Sequence, residues 1–284
     1  MIKIIVYFIQ SVLIYLFFII ARFFGLKISR LIFSNIFLFL GPIFKSQKII
    51  KKNLKTFSSK ISILEEKKLI RNMWRNYGKT FIEYVFLDKF RVNNSYVTLR
   101  GEENLNENIK NQPVIFISGH FANFELMSME ITKKNIPLAT IYRPLNNFFL
   151  NPFMEFLRQK YVCKNQIKKG INGVRKSIDY IKDKSCIALM IDQRVSEGEK
   201  IDFFNKPALT TTLPSQLSLK YNLNIIPVYI EREKNDNFLI EFYKPINPNN
   251  YRNKRELSLK LNKVLEKMVE KNPSQWIWTH DRWK

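Results

Sequence analysis

The chain has 284 residues, 46% of them hydrophobic, which is enough for one sizeable core and argues against intrinsic disorder. Its 47 Lys and Arg against 24 Asp and Glu leave a formal charge of +23. That excess favours acidic partners such as an anionic membrane surface, a phosphorylated substrate, an acidic carrier protein or nucleic acid, although a Lys- and Asn-rich composition inflates it without any function. Only two cysteines occur, Cys163 and Cys186, far apart and outside any CxxC, so a disulfide framework or a zinc site is not expected.

From Ile4 to Ile20 the chain reads IIVYFIQSVLIYLFFII, interrupted only by Gln10 and Ser11. The run is near the length of a bilayer span, and no small-residue cleavage site follows it, so it is expected to stay on the protein as an anchor. Lys27, Arg30, Lys45, Lys48, Lys51, Lys52 and Lys55 follow, against a single earlier Lys3. This bias places the body of the protein on the cytoplasmic side. Residues Leu31 to Phe44 are apolar but too short to span, and read as an interfacial or re-entrant helix or, alternatively, as a packed core helix. The expected division is an anchor over 1–25, a basic membrane-proximal segment over 26–60 and an α/β domain over 61–284.

Ser62 with Glu65 forms a capping-box pattern, and Leu69, Ile70, Met73, Trp74, Tyr77, Phe81, Tyr84 and Val85 then recur at helical spacing. Short β-branched and aromatic runs follow at Val114–Ser118, Leu138–Tyr142, Cys186–Ile191, Ile225–Ile230 and Phe238–Tyr243, with helical patterns between them and a last helix through Leu257, Leu261, Leu265 and Met268. The alternation predicts an α/β fold with a central mixed sheet flanked by helices, behind the N-terminal membrane-anchor helix. With eight glycines and no Gly-rich phosphate loop, nucleotide-dependent chemistry has no support.

The segment Val114-Ile-Phe-Ile-Ser-Gly-His120-Phe-Ala-Asn-Phe-Glu125 reads as a buried strand that ends at Gly119, presents His120 and enters a helix. Strand ends of this kind are where open α/β sheets bind ligands. A histidine there can act as general base, and a carboxylate can hold its other ring nitrogen. Five residues exceed the contacting interval on a helix, so the pair requires His120 in the turn and Glu125 in the first helical turns. A lone histidine at such a place is otherwise a capping or packing residue. Only His280 competes as a histidine base, and Ser118 is outside any GxSxG motif, which disfavours a serine hydrolase.

His120 and Glu125 in HFANFE resemble the His-x4-acid motif of glycerolipid-type acyltransferases, in the Glu form of the lipid A late acyltransferases. Tyr142-Arg143-Pro144 with Asn147, Arg158, Asp192-Gln193, Phe203-Phe204 leading to Thr210–Thr212, Ile226-Pro227-Val228 and Trp276-Ile277-Trp278-Thr279-His280 follow in the family's order. The resemblance implies transfer of a fatty acyl chain from acyl carrier protein to a hydroxyl of a lipid A precursor at the inner membrane, with no metal or cofactor and no nucleic-acid partner. It implies His120 and Glu125 as the catalytic dyad, with Arg158 and Asp192 as further active-site residues. Arg143, Asn147 and Arg194 are expected to bind substrate, and anionic membrane lipids to contact the basic surface. Arg158 suits either an oxyanion or an acceptor phosphate, and Asp192 is a candidate to orient Arg143, Arg158 or Arg194. Thr210–Thr212 are expected to cap a helix near Leu213. The terminal block departs from the family, since Asp281 rather than a basic residue follows His280. Competing readings are an acyltransferase for another membrane lipid, or a non-catalytic membrane-tethered protein that binds polyanions.

Overall fold

A computed structural model describes residues 2–58, 60–110 and 112–284. The N-terminal apolar run becomes α1 (Ile2–Phe44), interrupted where Gly25 takes φ 74° and ψ 171°. It is long and apolar enough to cross a membrane, and its most apolar 18-residue stretch has a mean hydropathy of 2.6. The part before the break is roughly 35 Å long at about 1.5 Å per residue, against a hydrocarbon core of about 30 Å. One face of it lies along the body. The Ser11 hydroxyl donates to Asn147 Oδ1 at 3.0 Å, the Tyr15 hydroxyl donates to the Phe149 carbonyl at 2.9 Å, and Phe18 and Ala21 are buried. Ile5, Ile9, Val12, Leu16 and Ile19 are exposed on its outer surface. Exposed Phe148 lies against Tyr7 of this helix, so whatever apolar layer receives α1 also receives that loop.

Beyond Gly25 the helix packs on α3 (Ile63–Glu83), with α2 (Gln47–Phe57) between them in sequence. A Cβ on Gly78 would sit 2.1 Å from the Phe33 carbonyl oxygen, so the two backbones meet at a distance only glycine allows. Leu26 and Phe33 are buried while Leu31, Phe39 and Ile43 remain exposed. This half of α1 is therefore packed on one side and carries exposed apolar side chains on the other. The capping box forms as the sequence predicts: Ser62 Oγ accepts from Glu65 N at 3.2 Å and Glu65 Oε2 accepts from Ser62 N at 3.0 Å.

The remaining elements run α4 (Leu87–Val92), β1 (Val97–Arg100), α5 (Glu102–Ile109), β2 (Ile115–Ser118), α6 (Glu125–Lys133), β3 (Leu138–Tyr142), α7 (Asn151–Leu157), β4 (Asn165–Lys168), α8 (Ile171–Lys182), β5 (Cys186–Met190), β6 (Glu199–Phe203), β7 (Lys206–Thr210), α9 (Leu213–Tyr221), β8 (Ile225–Arg232), β9 (Phe238–Phe242) and α10 (Lys254–Lys271). Seven strands form one sheet in the order β1-β9-β8-β2-β5-β3-β4, parallel except for the β8–β9 pair. Alternate side chains divide between two cores. Phe116, Ala188 and Ile226 face one, with α1, α4 and α6, while Ile115, Ile187 and Ile225 face the other, with α3, α10 and the C-terminal tryptophans. Two covered faces account for the near-continuous apolar strands. The mixed sheet flanked by helices is the fold expected.

Four strands escaped the sequence pattern. β1 and β4 are short edge strands whose residues alternate between half-buried and exposed or are mostly polar. β6 and β7 form a separate antiparallel hairpin whose turn residues, Phe204 and Asn205, have φ of 52° and 54°. This matches the two positive-φ positions of a type I′ turn, and a phenylalanine there carries none of the usual turn signal.

A buried ionic cluster fixes α1, α3 and the sheet to one another. Arg30 Nε donates to Glu83 Oε1 at 2.6 Å, and Arg232 donates through Nη2 to Glu83 Oε2 at 2.9 Å and through Nη1 to Oε1. Arg30 is thus a buried partner of Glu83, not one of the exposed membrane-proximal charges its position suggests. Burial alone raises the Glu83 carboxyl, but Arg232 and Arg30 outweigh it and hold the carboxyl below its usual range. A lowered folded value means a contribution to stability that is complete above the unfolded carboxyl value and is lost as pH falls through the folded one. Glu83→Gln leaves two buried guanidiniums without a counter-charge and should destabilise the fold by about 3–5 kcal/mol. Denaturant unfolding in detergent measures this, and the loss should shrink on acidification below about pH 4 as the parent itself protonates.

Candidate active site

Strand register builds the centre of the site. β2 and β5 pair in parallel with Ser118 opposite Met190, so two residues further on His120 and Asp192 leave the sheet side by side. His120 Nδ1 lies 2.7 Å from Asp192 Oδ1, and the His120 backbone N–H donates to Asp192 Oδ2 at 2.7 Å. Trp276 Nε1 donates to the same Oδ2 at 2.9 Å. Asp192 is fully buried. Its burial raises the carboxyl, but the His120 charge, the hydrogen bonds from His120 and that from Trp276 reverse this and keep it ionised below the usual range. An ionised carboxylate only accepts, so Nδ1 carries a proton, and in the neutral imidazole the lone pair is then on Nε2.

The carboxylate that holds His120 is therefore Asp192, which corrects two expectations. Glu125 does not serve the imidazole, and Asp192 does not orient Arg143, Arg158 or Arg194. Glu125 begins α6, as the spacing requires, but Glu125 Oε1 accepts from the Tyr84 hydroxyl at 2.7 Å and from Arg158 Nε at 2.7 Å. Arg158 Nη2 donates to the Tyr84 oxygen at 3.3 Å, while buried Nη1 has no partner among the described residues. Burial works against the Arg158 charge, but Glu125 and Tyr84 more than offset it and hold the guanidinium protonated. Burial and the neighbouring Glu125 push the Tyr84 hydroxyl upward, so it remains a neutral donor.

The loop from Gly119 to Phe124 is held on several sides. A Cβ on Gly119 would come within 2.7 Å of the Phe121 ring. Ala122 adopts φ 43°, its N–H donates to the Gln275 carbonyl at 3.1 Å and its carbonyl accepts from the Thr80 hydroxyl at 3.0 Å. Asn123 Nδ2 donates to Glu83 Oε2 at 3.0 Å, which joins the loop to the ionic cluster. Such over-determination lets a non-glycine residue persist at positive φ, a strain common where side chains must be aimed.

His120, Glu125, Arg158 and Tyr84 line one cavity of about 590 Å³, whose walls include Met127, Ile141 and Leu189 and whose rim carries Lys45, Arg143, Lys169 and Arg194. Arg194 Nε is buried and unpartnered among the described residues. Burial depresses the Lys169 ammonium. Tyr84, Lys45 and Lys169 were missed in the sequence, because each belongs to a segment remote from the motifs and reads as packing or surface charge.

Other sequence candidates have structural roles. Asn147 does not face the cavity as a substrate ligand: its Oδ1 accepts from the backbone N–H of Phe149 and Leu150 at 3.1 and 3.3 Å, and its amide donates to the Tyr7 carbonyl at 2.9 Å. Ser118 Oγ donates to the Val228 carbonyl at 2.7 Å inside the sheet, which removes it as a nucleophile. Thr211 and Thr212 do stand at the start of α9, Thr211 Oγ1 accepting from Leu213 N at 3.4 Å, whereas Thr210 is bound by Arg282 and Asn262. His280 Nε2 accepts from the Arg194 backbone N–H at 2.8 Å, and burial lowers its basicity. Arg282 is fully buried, donating to the Leu209 carbonyl at 2.7 Å and to Thr210 Oγ1 at 2.8 Å. The terminal block thus secures the tail against β7 and supplies Trp276 to Asp192. Among the described residues no group of histidines, cysteines and acids is placed to hold a metal ion.

A histidine base and a guanidinium held over an amphipathic cavity suit transfer chemistry at a carbonyl. Sequence comparisons with known proteins agree. Residues 2–284 match the family model for bacterial lipid A biosynthesis acyltransferases. Over 248 residues the chain is 23% identical to the lipid A biosynthesis palmitoleoyltransferase of Escherichia coli (strain K12) and to the lipid A biosynthesis acyltransferase of Shigella flexneri, covering 84% of this chain and 79% of each relative. It also superposes loosely on the crystal structure of the 1-acyl-sn-glycerophosphate acyltransferase PlsC from Thermotoga maritima, with a TM-score of 0.42 and 16% identity over 89% of this chain and 100% of that one. With a family match that runs from residue 2 to the last, the chain belongs to the bacterial lipid A biosynthesis acyltransferases.

Proposed function

We propose that the protein transfers a fatty acyl chain from an acyl carrier protein thioester to a hydroxyl of a lipid A precursor of the Kdo-lipid IVA type. It acts at the cytoplasmic face of a bacterial inner membrane, held there by α1 and by contact with anionic lipids. The observation that carries the reading is the His120–Asp192 pair, which in the neutral imidazole aims the Nε2 lone pair into a cavity with apolar walls and a cationic rim. Nε2 takes the proton of the acceptor hydroxyl as its oxygen bonds to the thioester carbon. The tetrahedral oxyanion collapses, the C–S bond breaks, and the leaving thiolate takes the proton back from the imidazolium. A thioester is already activated, so the remaining need is a fixed donor for the oxyanion and a means of holding two lipidic substrates together.

Arg158 Nη1 is a buried donor without a partner among the described residues and supplies that charge, with Glu125 and Tyr84 fixing the plane of its guanidinium. Arg143 and Arg194, joined by Lys45 and Lys169, suit the phosphates of the acceptor. Leu145 at the rim and neighbouring Phe148 are exposed and apolar beside α1, which favours entry of the acceptor from the membrane side. Purified protein incubated with acyl carrier protein thioester and the tetra-acylated acceptor should yield a product heavier by one acyl group in mass spectrometry. Failure to transfer, with transfer to a lysophospholipid instead, would assign the site to another lipid.

Arg158→Lys keeps the charge and loses the fork that grips Glu125 and Tyr84. Single-turnover acyl transfer should fall by about 10²-fold, the scale of a lost oxyanion donor. Near-parental turnover in the lysine variant would exclude a planar role for the guanidinium.

A further inference from the structure

We propose that the groove between α2 and the β6–β7 hairpin is the docking surface for the acidic carrier protein that presents the acyl thioester, an inference that rests on the acyl-transfer reading above. The groove measures about 880 Å³ and is walled by Lys48, Lys51, Lys52 and Lys55 on one side and by Asn205 and Lys206 on the other. The four α2 lysines recur at i, i+3, i+4 and i+7, which places them on one helical face, and all are exposed. Only Lys52 has a carboxylate partner among the described residues, Asp281 at 2.9 Å. Glu266 and Glu270 lie beyond the groove's Lys55 end, and Glu266 is held by Lys263.

A further feature favours an acidic protein over a lipid surface. A helix that lies in a membrane interface needs its apolar face free to enter the lipid. In α2 that face is already spent: Ile50 and Leu54 are fully buried, and Asn53 Nδ2 donates to the Trp278 and His280 carbonyls at 2.9 and 2.7 Å. Position agrees as well. Lys45 stands on the rim of the catalytic cavity, and Gln47 and Lys48 open the groove, so the two depressions adjoin along roughly 7–11 Å of chain. A carrier seated in the groove has its prosthetic arm beside the cavity mouth.

The test uses the full chain in detergent micelles, purified acyl carrier protein, an acyl-pantetheine thioester as carrier-free donor, and vesicles of three parts phosphatidylethanolamine to one part phosphatidylglycerol. The variants are the triple Lys48→Glu/Lys51→Glu/Lys55→Glu and, on the opposite wall, Lys206→Glu. The triple variant should raise the Kd for the carrier at least about tenfold, Lys206→Glu should raise it a few-fold, and parental binding should weaken with salt. Turnover of the carrier-free thioester should stay within about twofold, because general-base and oxyanion groups are untouched. Unchanged carrier affinity in both variants overturns the proposal, and so does a selective loss of vesicle binding, which would give the groove to the membrane. Equal losses with both donors also overturn it, since the lysines would then act on the site itself. Carrier binding that depends on the lysines without any acyl transfer would uphold the groove and sink the acyl-transfer reading. Carrier-free turnover without carrier binding would do the reverse.

Discussion

His120→Ala should lower the rate of acyl transfer by roughly 10²–10⁴-fold, the range for a lost general base, while donor and acceptor still bind. Three features make the loss one of chemistry. The side chain is 20% exposed and faces the cavity, so its removal opens little core. The backbone N–H of residue 120 still donates to Asp192 Oδ2, and Trp276 still donates there too. Only Asp192 Oδ1 loses its partner, a cost of about 1–3 kcal/mol for a buried acceptor. Thermal unfolding measured beside single-turnover transfer separates the two effects, and a well-folded His120→Ala protein with parental turnover would end the mechanism. Double variants test the wiring. Groups that act as one unit give non-additive losses, so His120→Ala with Asp192→Asn should be scarcely worse than His120→Ala alone. Glu125→Gln acts through Arg158 and Tyr84, so its loss should persist as a further decrement on the His120→Ala background.

The sequence carried the position of His120 but not its partner, and the reason is range. The runs that become β2 and β5 are visible as buried strands, yet nothing local states that Ser118 lies opposite Met190, the register that brings His120 to Asp192 across 72 positions. Glu125, five residues away, is the nearer candidate on spacing alone. The first turn of α6 carries its carboxylate to Tyr84 and Arg158, which come from two other segments. Asn147 illustrates the opposite failure. Its motif position suggests a ligand, but an asparagine side chain also serves turns, and here its oxygen accepts the N–H groups of Phe149 and Leu150 in the turn that leads into α7. Arg30 reads as an ordinary membrane-proximal charge because burial is a tertiary property, and its pairing with Glu83 couples that segment to the catalytic loop through Asn123.

Asp192→Asn should reduce turnover by about 10³–10⁴-fold although the substitution is nearly isosteric, because it forces the wrong tautomer on His120. Asp192 Oδ2 accepts two N–H groups, from the His120 backbone at 2.7 Å and from Trp276 Nε1 at 2.9 Å. In the variant those two donors fix the amide oxygen on their side. The amide nitrogen must then occupy the place of Oδ1 and donate to His120 Nδ1. Nδ1 becomes the acceptor, the proton moves to Nε2, and the nitrogen that faces the cavity can no longer take one from a hydroxyl. Tautomers are readable, because the chain has only two histidines and His120→Ala assigns their signals. Nitrogen-15 spectra should show His120 protonated at Nδ1 in the parent and at Nε2 in the variant, while His280, whose Nε2 accepts from Arg194 N–H, keeps its proton on Nδ1 in both. The variant also lacks a carboxyl that is held below its usual range in the folded protein. The parent keeps that contribution to stability above the unfolded carboxyl value and loses it as pH falls through the folded one, so parent and variant should converge in stability on strong acidification. An unchanged His120 tautomer together with turnover within a few-fold of the parent would show that Asp192 orients nothing the reaction needs.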